Sequence, residues 1–383
     1  MTGMCRGWML VLSTLGLLAI AVNVTAAEVR RDALGRPQGA TTGRVVDLDG
    51  DMVDVCATII PPITEGYGAH GPYRVAVKHT QNPRWNGRLV SVFYPLDAPG
   101  PHPVVFFAHG FGAVDYQSYE SLIRHIVSRG YVLVYAPYQT IIRQDADASN
   151  STNIYQERYD TLWSGFDAAV ATSRDLMDLD RVGFVGHSFG GGAVPAMAYK
   201  GLVEQGWGSR GAFMYIMAPW YSFEITPKQL RAYPPHTKLL LQVYADDSTN
   251  DHRMAMDLFY SIGVPMAEKD YVILFSQSRE GCAFTADHAV PSNHGDPGVL
   301  QNYGVFRVFD ALAEYAFTES AFAKQVALGH GHPRQRDMGQ WPDGIPYRKL
   351  ISECLPRPIK RQSCYEFPWN AEENERRHVD LIF

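Results

Sequence analysis

The chain has 383 residues, 46% hydrophobic and 19% charged, with a formal net charge of −6. That composition supplies a large buried core and excludes a disordered or low-complexity protein. The acidic balance, with no basic stripe, excludes nucleic acid as an expected partner.

Arg6, the apolar run Met9 to Val22 and the small-residue stretch Thr25-Ala26-Ala27 read as a cleavable export signal over residues 1–27. The run is too short to span a bilayer comfortably, so no stable membrane span is expected after cleavage. The expected location is periplasmic or secreted. Cleavage would remove Cys5 and leave Cys56, Cys282, Cys354 and Cys364, and four cysteines in an exported chain predict two disulfides. Cys354 with Cys364 closes a short loop and is the preferred pair, which leaves Cys56 with Cys282.

Residues 28–68 are glycine- and acid-rich and read as a loosely structured lead-in. Tyr73 to Val77 and Leu89 to Tyr94 then predict two antiparallel strands. Val104 to Ala108 is a continuous apolar run, as in a strand covered on both faces. Tyr119, Leu122, Ile123, Ile126 and Val127 follow helical spacing and stop at Gly130, a natural cap. Tyr131 to Tyr135 predicts the next strand, and Tyr159 to Val170 an amphipathic helix. Strands follow at Val182 to Val185, Phe213 to Met217, Leu239 to Tyr244 and Tyr271 to Phe275, the last of the series. Helices are expected at Met254 to Ile262 and Tyr303 to Tyr315. This alternation predicts a mostly parallel sheet with helices on both faces. The catalytic domain is placed at 69–320. Residues 321–383 form a C-terminal extension expected to wrap the domain.

Gly186-His187-Ser188-Phe189-Gly190 reads G-x-S-x-G between the strand ending at Val185 and a helix-compatible run from Gly191 to Lys200. In that context the serine sits on a sharp strand-to-helix turn, where side chains two residues away on either side would collide. Ser188 is therefore the expected nucleophile. A serine hydroxyl needs a positioned base, a carboxylate behind the base, and N–H donors for the oxyanion. His109-Gly110-Phe111-Gly112 follows a strand, and the backbone amides of Phe111 and Phe189 are the expected oxyanion donors. His109 itself is expected to have a structural hydrogen-bonding role. Asp246, Asp247 and Asp251 all follow the Leu239 to Tyr244 strand. Asp247 is chosen because it leaves a short turn before the next helix, for which Asp251 suits the N-terminal cap. His288 and His294 compete as base, and His288 is preferred because Ala286 and Ala289 leave its ring room.

Gly71-Pro72-Tyr73, His109-Gly110-Phe111, Ser188-Phe189-Gly190-Gly191-Gly192 and Ala218-Pro219-Trp220 resemble the secreted cutinase and polyester-hydrolase branch of the α/β hydrolases, with a chlorophyllase-like flavour. The resemblance covers about Gly71 to Phe317 and implies an α/β-hydrolase fold. It also implies that Trp220 lines the acyl-binding cleft. The tail has no counterpart in small cutinases.

Other motifs receive plainer readings. His330-Gly331-His332 reads as a solvated loop, because no third ligand has suitable spacing. Asp145-Ala146-Asp147 begins like a calcium loop but lacks its glycine and final glutamate. Asn150-Ser151-Thr152 is a glycosylation sequon only in a host that modifies exported proteins. The expected activity is cofactor-free hydrolysis of small-molecule or polymeric carboxylic esters through an acyl-enzyme. An amide hydrolase on the same triad, or a non-catalytic binding protein on this fold, are the alternatives. No Arg or Lys lies within the three site motifs, so neutral esters are expected to be preferred over charged ones.

Overall fold

A computed structural model describes residues 44–46, 52–54, 62–140, 151–279, 282–292 and 298–381. The export signal, Cys56, the Asp145-Ala146-Asp147 stretch, Asn150 and His294 lie outside the described residues. Two short strands, β1 (Arg44–Val46) and β2 (Met52–Asp54), pair antiparallel with Val45 opposite Val53.

The central sheet begins with the expected antiparallel pair, β3 (Val75–Gln81) and β4 (Leu89–Pro95). It continues through β5 (His102–Ala108), β6 (Val132–Tyr135), β7 (Met177–His187), β8 (Gly211–Met217), β9 (Lys238–Tyr244) and β10 (Lys269–Leu274). Each overlaps the apolar run that predicted it. β11 (Gln277–Arg279) and β12 (Cys282–Phe284) form a separate hairpin, and β13 (Ile351–Ser352) comes from the tail. The nine strands run β13-β10-β9-β8-β7-β5-β6-β4-β3, with parallel pairing from β6 through β10.

Helices α1 (Glu120–Ser128), α2 (Ser151–Ser173), α3 (Phe189–Ala198), α4 (Arg253–Ser261) and α5 (Arg307–Thr318) cover the sheet. α1 ends as expected at Gly130, whose φ of +100° suits only glycine at low cost. The alternation of side chains along each strand feeds two cores. On β5, Val104, Phe106 and Ala108 pack with Leu162, Phe166 and Val194 of α2 and α3. Val105 and Phe107 pack with Leu122, Ile126, Phe309 and Leu312 of α1 and α5. Both faces being buried explains why the run is apolar without alternation. Phe106 stacks on Phe184 at 5.2 Å and Trp207 at 5.0 Å. Burying a side chain of this size contributes about 1.5–3 kcal/mol.

The tail does more than wrap. β13 pairs antiparallel with β10, Ile351 opposite Ile273, so β10 is not the final strand of the sheet. Two residues are too few to show a period, which is why the sequence gives no sign of this strand. Farther along, the Arg376 guanidinium forks onto Asp257 of α4, with both side chains buried and one arm at 2.8 Å. The amides of Glu366 and Phe367 donate to the carbonyls of Ser248 and Thr249, each at 2.8 Å. Lys360 Nζ donates to the Asp247 carbonyl at 2.8 Å. These contacts fasten the tail to α4 and to the loop after β9.

Cys354 is exposed and free, so the expected Cys354–Cys364 bridge is not formed. Close spacing in sequence makes a loop short but does not turn two thiols toward each other, as disulfide geometry requires. Among the described residues, no helix is long and apolar enough to cross a membrane.

Candidate active site

The turn from β7 into α3 places Ser188 at φ 57°, ψ −123°, a conformation costly for any residue with a Cβ. A Cβ on Gly190 would collide with the Ala108 carbonyl, and one on Gly186 would lie 2.5 Å from the Gly190 carbonyl oxygen. The two flanking glycines are thus required by close approach. Backbone hydrogen bonds lock the turn: Ser188 N–H donates to Met217 O at 3.0 Å. The Ser188 carbonyl accepts from Trp220 at 2.8 Å and Gly192 at 3.0 Å.

His288 lies between Ser188 and Asp247. Its Nε2 is 2.8 Å from Ser188 Oγ, and its Nδ1 is 2.8 Å from Asp247 Oδ2. An ionised carboxylate only accepts, so Nδ1 carries the proton and Nε2 is free to accept from the serine hydroxyl. Asp247 is fully buried. Its other oxygen accepts from the amides of Thr249 at 2.7 Å and Asn250 at 3.2 Å. Burial pushes this carboxyl up. The His288 ring and its hydrogen bond, with His252 and the Thr249 amide, outweigh burial and hold it below the ordinary carboxylate range. Such a relay can withdraw the proton of a serine hydroxyl. Asp246 instead bonds Ser276 Oγ, and Asp251 accepts from Arg253 N–H at the start of α4, close to the capping role expected of it.

Three side chains that sequence reasoning passed over complete this frame. Gly110 N–H donates to the Tyr119 hydroxyl at 3.0 Å, and that hydroxyl lies 2.8 Å from His187 Nδ1. His187 Nε2 lies 2.8 Å from the His288 carbonyl, which can only accept. His187 is therefore the Nε2–H tautomer, and Tyr119 donates to its Nδ1. Burial and the neighbouring His288 push His187 well below the usual histidine range and keep it neutral. The chain of bonds fixes the Gly110 loop relative to the backbone of His288. The signal was the variable position of G-x-S-x-G itself, occupied by a histidine. Asn250 Nδ2 donates to Ala218 O at 3.0 Å and lies 3.5 Å from Ser188 Oγ.

His109 has the structural role expected of it. Nδ1 donates to Gly110 O at 2.8 Å, Nε2 accepts weakly from Tyr138 N–H at 3.4 Å, and the ring stacks on Tyr138 at 4.2 Å. Phe189 opens α3 directly after Ser188, and Phe111 follows Gly110 with its side chain exposed. Trp220 stacks on Phe189 at 5.6 Å and meets Tyr155 at 5.6 Å and Phe367 edge-on at 5.7 Å. These rings form an aromatic cluster beside the β7–α3 turn, with Phe367 contributed by the tail. A charge from outside the motifs joins these rings. Arg158 of α2, outside every motif, packs its guanidinium over Phe111 at 5.2 Å and Phe189 at 5.6 Å. At the far end of β10, His332 caps a short helix by accepting from Arg334 N–H, and His330 N–H donates to Asp270. The loop read as solvated is thus tied down by backbone hydrogen bonds.

The mostly parallel sheet covered on both faces, with its serine at the β7–α3 elbow, is an α/β-hydrolase fold. A family model described as chlorophyllase matches residues 65–205, from just before β3 to just past α3. The chain is thus similar to the chlorophyllase-like branch of that class. The matched stretch holds His109 to Gly112 and Ser188 but ends before Asp247 and His288. No curated protein matches the chain.

Buried neutral histidines give the fold a pH dependence. Burial lowers His109 and His252 from 6.5 to about 4. The unfolded chain then binds more protons than the folded one between those values, so stability is full above about 6.5 and falls as pH drops toward about 4. Each ring withdraws on the order of 3 kcal/mol across that window. Urea denaturation at pH 7 and pH 4.5 should show the loss. His252→Gln, which keeps a donor for Tyr244 O but cannot protonate, should show a smaller one. Equal pH dependence in both proteins would contradict the account.

Proposed function

We propose that the protein is an exported serine hydrolase cleaving carboxylic esters through an acyl-enzyme on Ser188. The observation that carries this is the relay in which His288 lies 2.8 Å from both Ser188 Oγ and Asp247 Oδ2. Ser188 Oγ attacks the ester carbonyl while its proton moves to His288 Nε2. Asp247, already hydrogen-bonded to Nδ1, stabilises the imidazolium that forms. The amides of Phe111 and Phe189 receive the oxyanion, the latter at the positive end of α3. The carbonyl re-forms, the C–O bond breaks, and His288 returns the proton to the departing alcohol. Water, deprotonated by His288 in turn, then hydrolyses the acyl-enzyme. Each step is assigned to a group of this chain, and no cofactor is invoked. Similarity to the chlorophyllase family supports an ester over an amide substrate. Trp220 and Phe189 form the wall assigned to the acyl group. We assign catalysis to residues 69–320, with 321–383 as an extension that holds the acid loop.

Kinetics on p-nitrophenyl butyrate test the assignments. Ser188→Ala should lower kcat by roughly 10³-fold or more, His288→Ala by the same order, and Asp247→Ala somewhat less. Trp220→Ala should act mainly on KM, with a loss of about 1–3 kcal/mol in kcat/KM. A fully active Ser188→Ala protein would end this reading.

Export and the remaining cysteine pair are tested together. Cys282 is buried, as a bridged cysteine would be, and we propose Cys56 as its partner. Protein recovered from the exported fraction should begin at Glu28, and a non-reducing peptide map should link Cys56 to Cys282. An intact residue 1, or alkylation of Cys282 without reduction, would contradict the corresponding part.

A further inference from the structure

Arg158 is buried, at 6% exposure, yet no carboxylate pairs with it among the described residues. Among the described residues its one hydrogen bond runs from Nε to Gln139 O at 2.9 Å. The two terminal nitrogens donate to no described group, and they are not among the buried atoms sealed from solvent. The guanidinium is held among three rings, Phe111 at 5.2 Å, Phe189 at 5.6 Å and Tyr155 at 5.7 Å. A buried cation without a counter-charge is costly, and cation–π contacts offset only part of that cost. Burial also lowers its affinity for the proton, though an arginine remains charged. The remaining donors form a planar fork suited to a carboxylate.

Its position says which carboxylate. Phe111 and Phe189 supply the amides assigned to the oxyanion, and Phe189 is the residue after Ser188. Phe189 and Tyr155 also touch Trp220, so the cation lies along the wall assigned to the acyl group. We propose that Arg158 binds a free carboxylate at the far end of the acyl chain, making half-esters of dicarboxylic acids the preferred substrates. This rests on the ester-hydrolase reading above and reverses the preference for neutral esters drawn from the sequence.

Two matched substrates test it: mono(4-nitrophenyl) adipate, and 4-nitrophenyl 6-methylheptanoate, in which an isopropyl group replaces the carboxylate. The wild-type protein should favour the adipate half-ester in kcat/KM by about 10–100-fold, a range typical of one charge-assisted contact. In Arg158→Gln that ratio should collapse by a similar factor, and Arg158→Lys, which keeps the charge but not the fork, should retain part of it. The wild-type comparison requires no substitution, so a poorly folding variant does not shelter the proposal. Wild-type protein that cleaves both esters without preference, or an unchanged ratio in Arg158→Gln, overturns this inference alone. Wild-type protein that cleaves neither overturns the ester-hydrolase reading and this inference with it.

Discussion

Ser188 is held in a backbone conformation that side-chain-bearing residues avoid, and most of the site follows from keeping it there. Strain of this kind costs about 1–3 kcal/mol and persists only where the surroundings over-determine it. Here the surroundings are specific. β7 and β8 clamp the serine amide through Met217, the Trp220 amide takes its carbonyl, and Gly186 and Gly190 allow the backbone approach. The same Trp220 whose amide pins the turn presents its ring to Phe189. One local constraint therefore sets the position of Ser188 and of the rings beside it.

Asp247 and His288 come from loops, which by themselves are the mobile parts of such a fold. Each is fastened by contacts beyond the strand it follows. The Asp247 loop is bonded by Lys360, Glu366 and Phe367 of the tail, and Trp369 N–H reaches Asp251 at 3.0 Å. The His288 loop is held through His187 and Tyr119, the pair that also positions Gly110. The extension thus acts as a brace for the Asp247 loop, anchored to α4 by the buried Arg376–Asp257 pair. Breaking such a pair by removing one partner costs more than the pair contributes, because it leaves a lone buried charge.

The strands and Ser188 were legible because their signals are local: continuous apolar runs, and glycines at fixed offsets from a serine. Asp247 and His288 were legible from chain order, since each follows a strand whose carboxyl end faces the serine. What escaped was non-local. Arg158 lies outside every motif, and only packing shows that it points among three rings. Asn250 read as part of a connecting turn, and its approach to Ser188 depends on how the Asp247 loop closes. The tail contacts of Glu366 and Phe367 run through backbone groups, which carry no residue-type signal. The Cys354–Cys364 pairing failed for the opposite reason, a local spacing with no geometry behind it.

The central claim is that Ser188 is the atom acylated, and covalent trapping reads it directly. An aryl phosphonate ester, offered to the native protein and followed by peptide mass spectrometry, should place one phosphonyl group per chain on Ser188, with parallel loss of esterase activity. Labelling should slow sharply in His288→Ala, whose serine has no base. A label on any other residue, or an inactivated protein with Ser188 unmodified, would contradict the account.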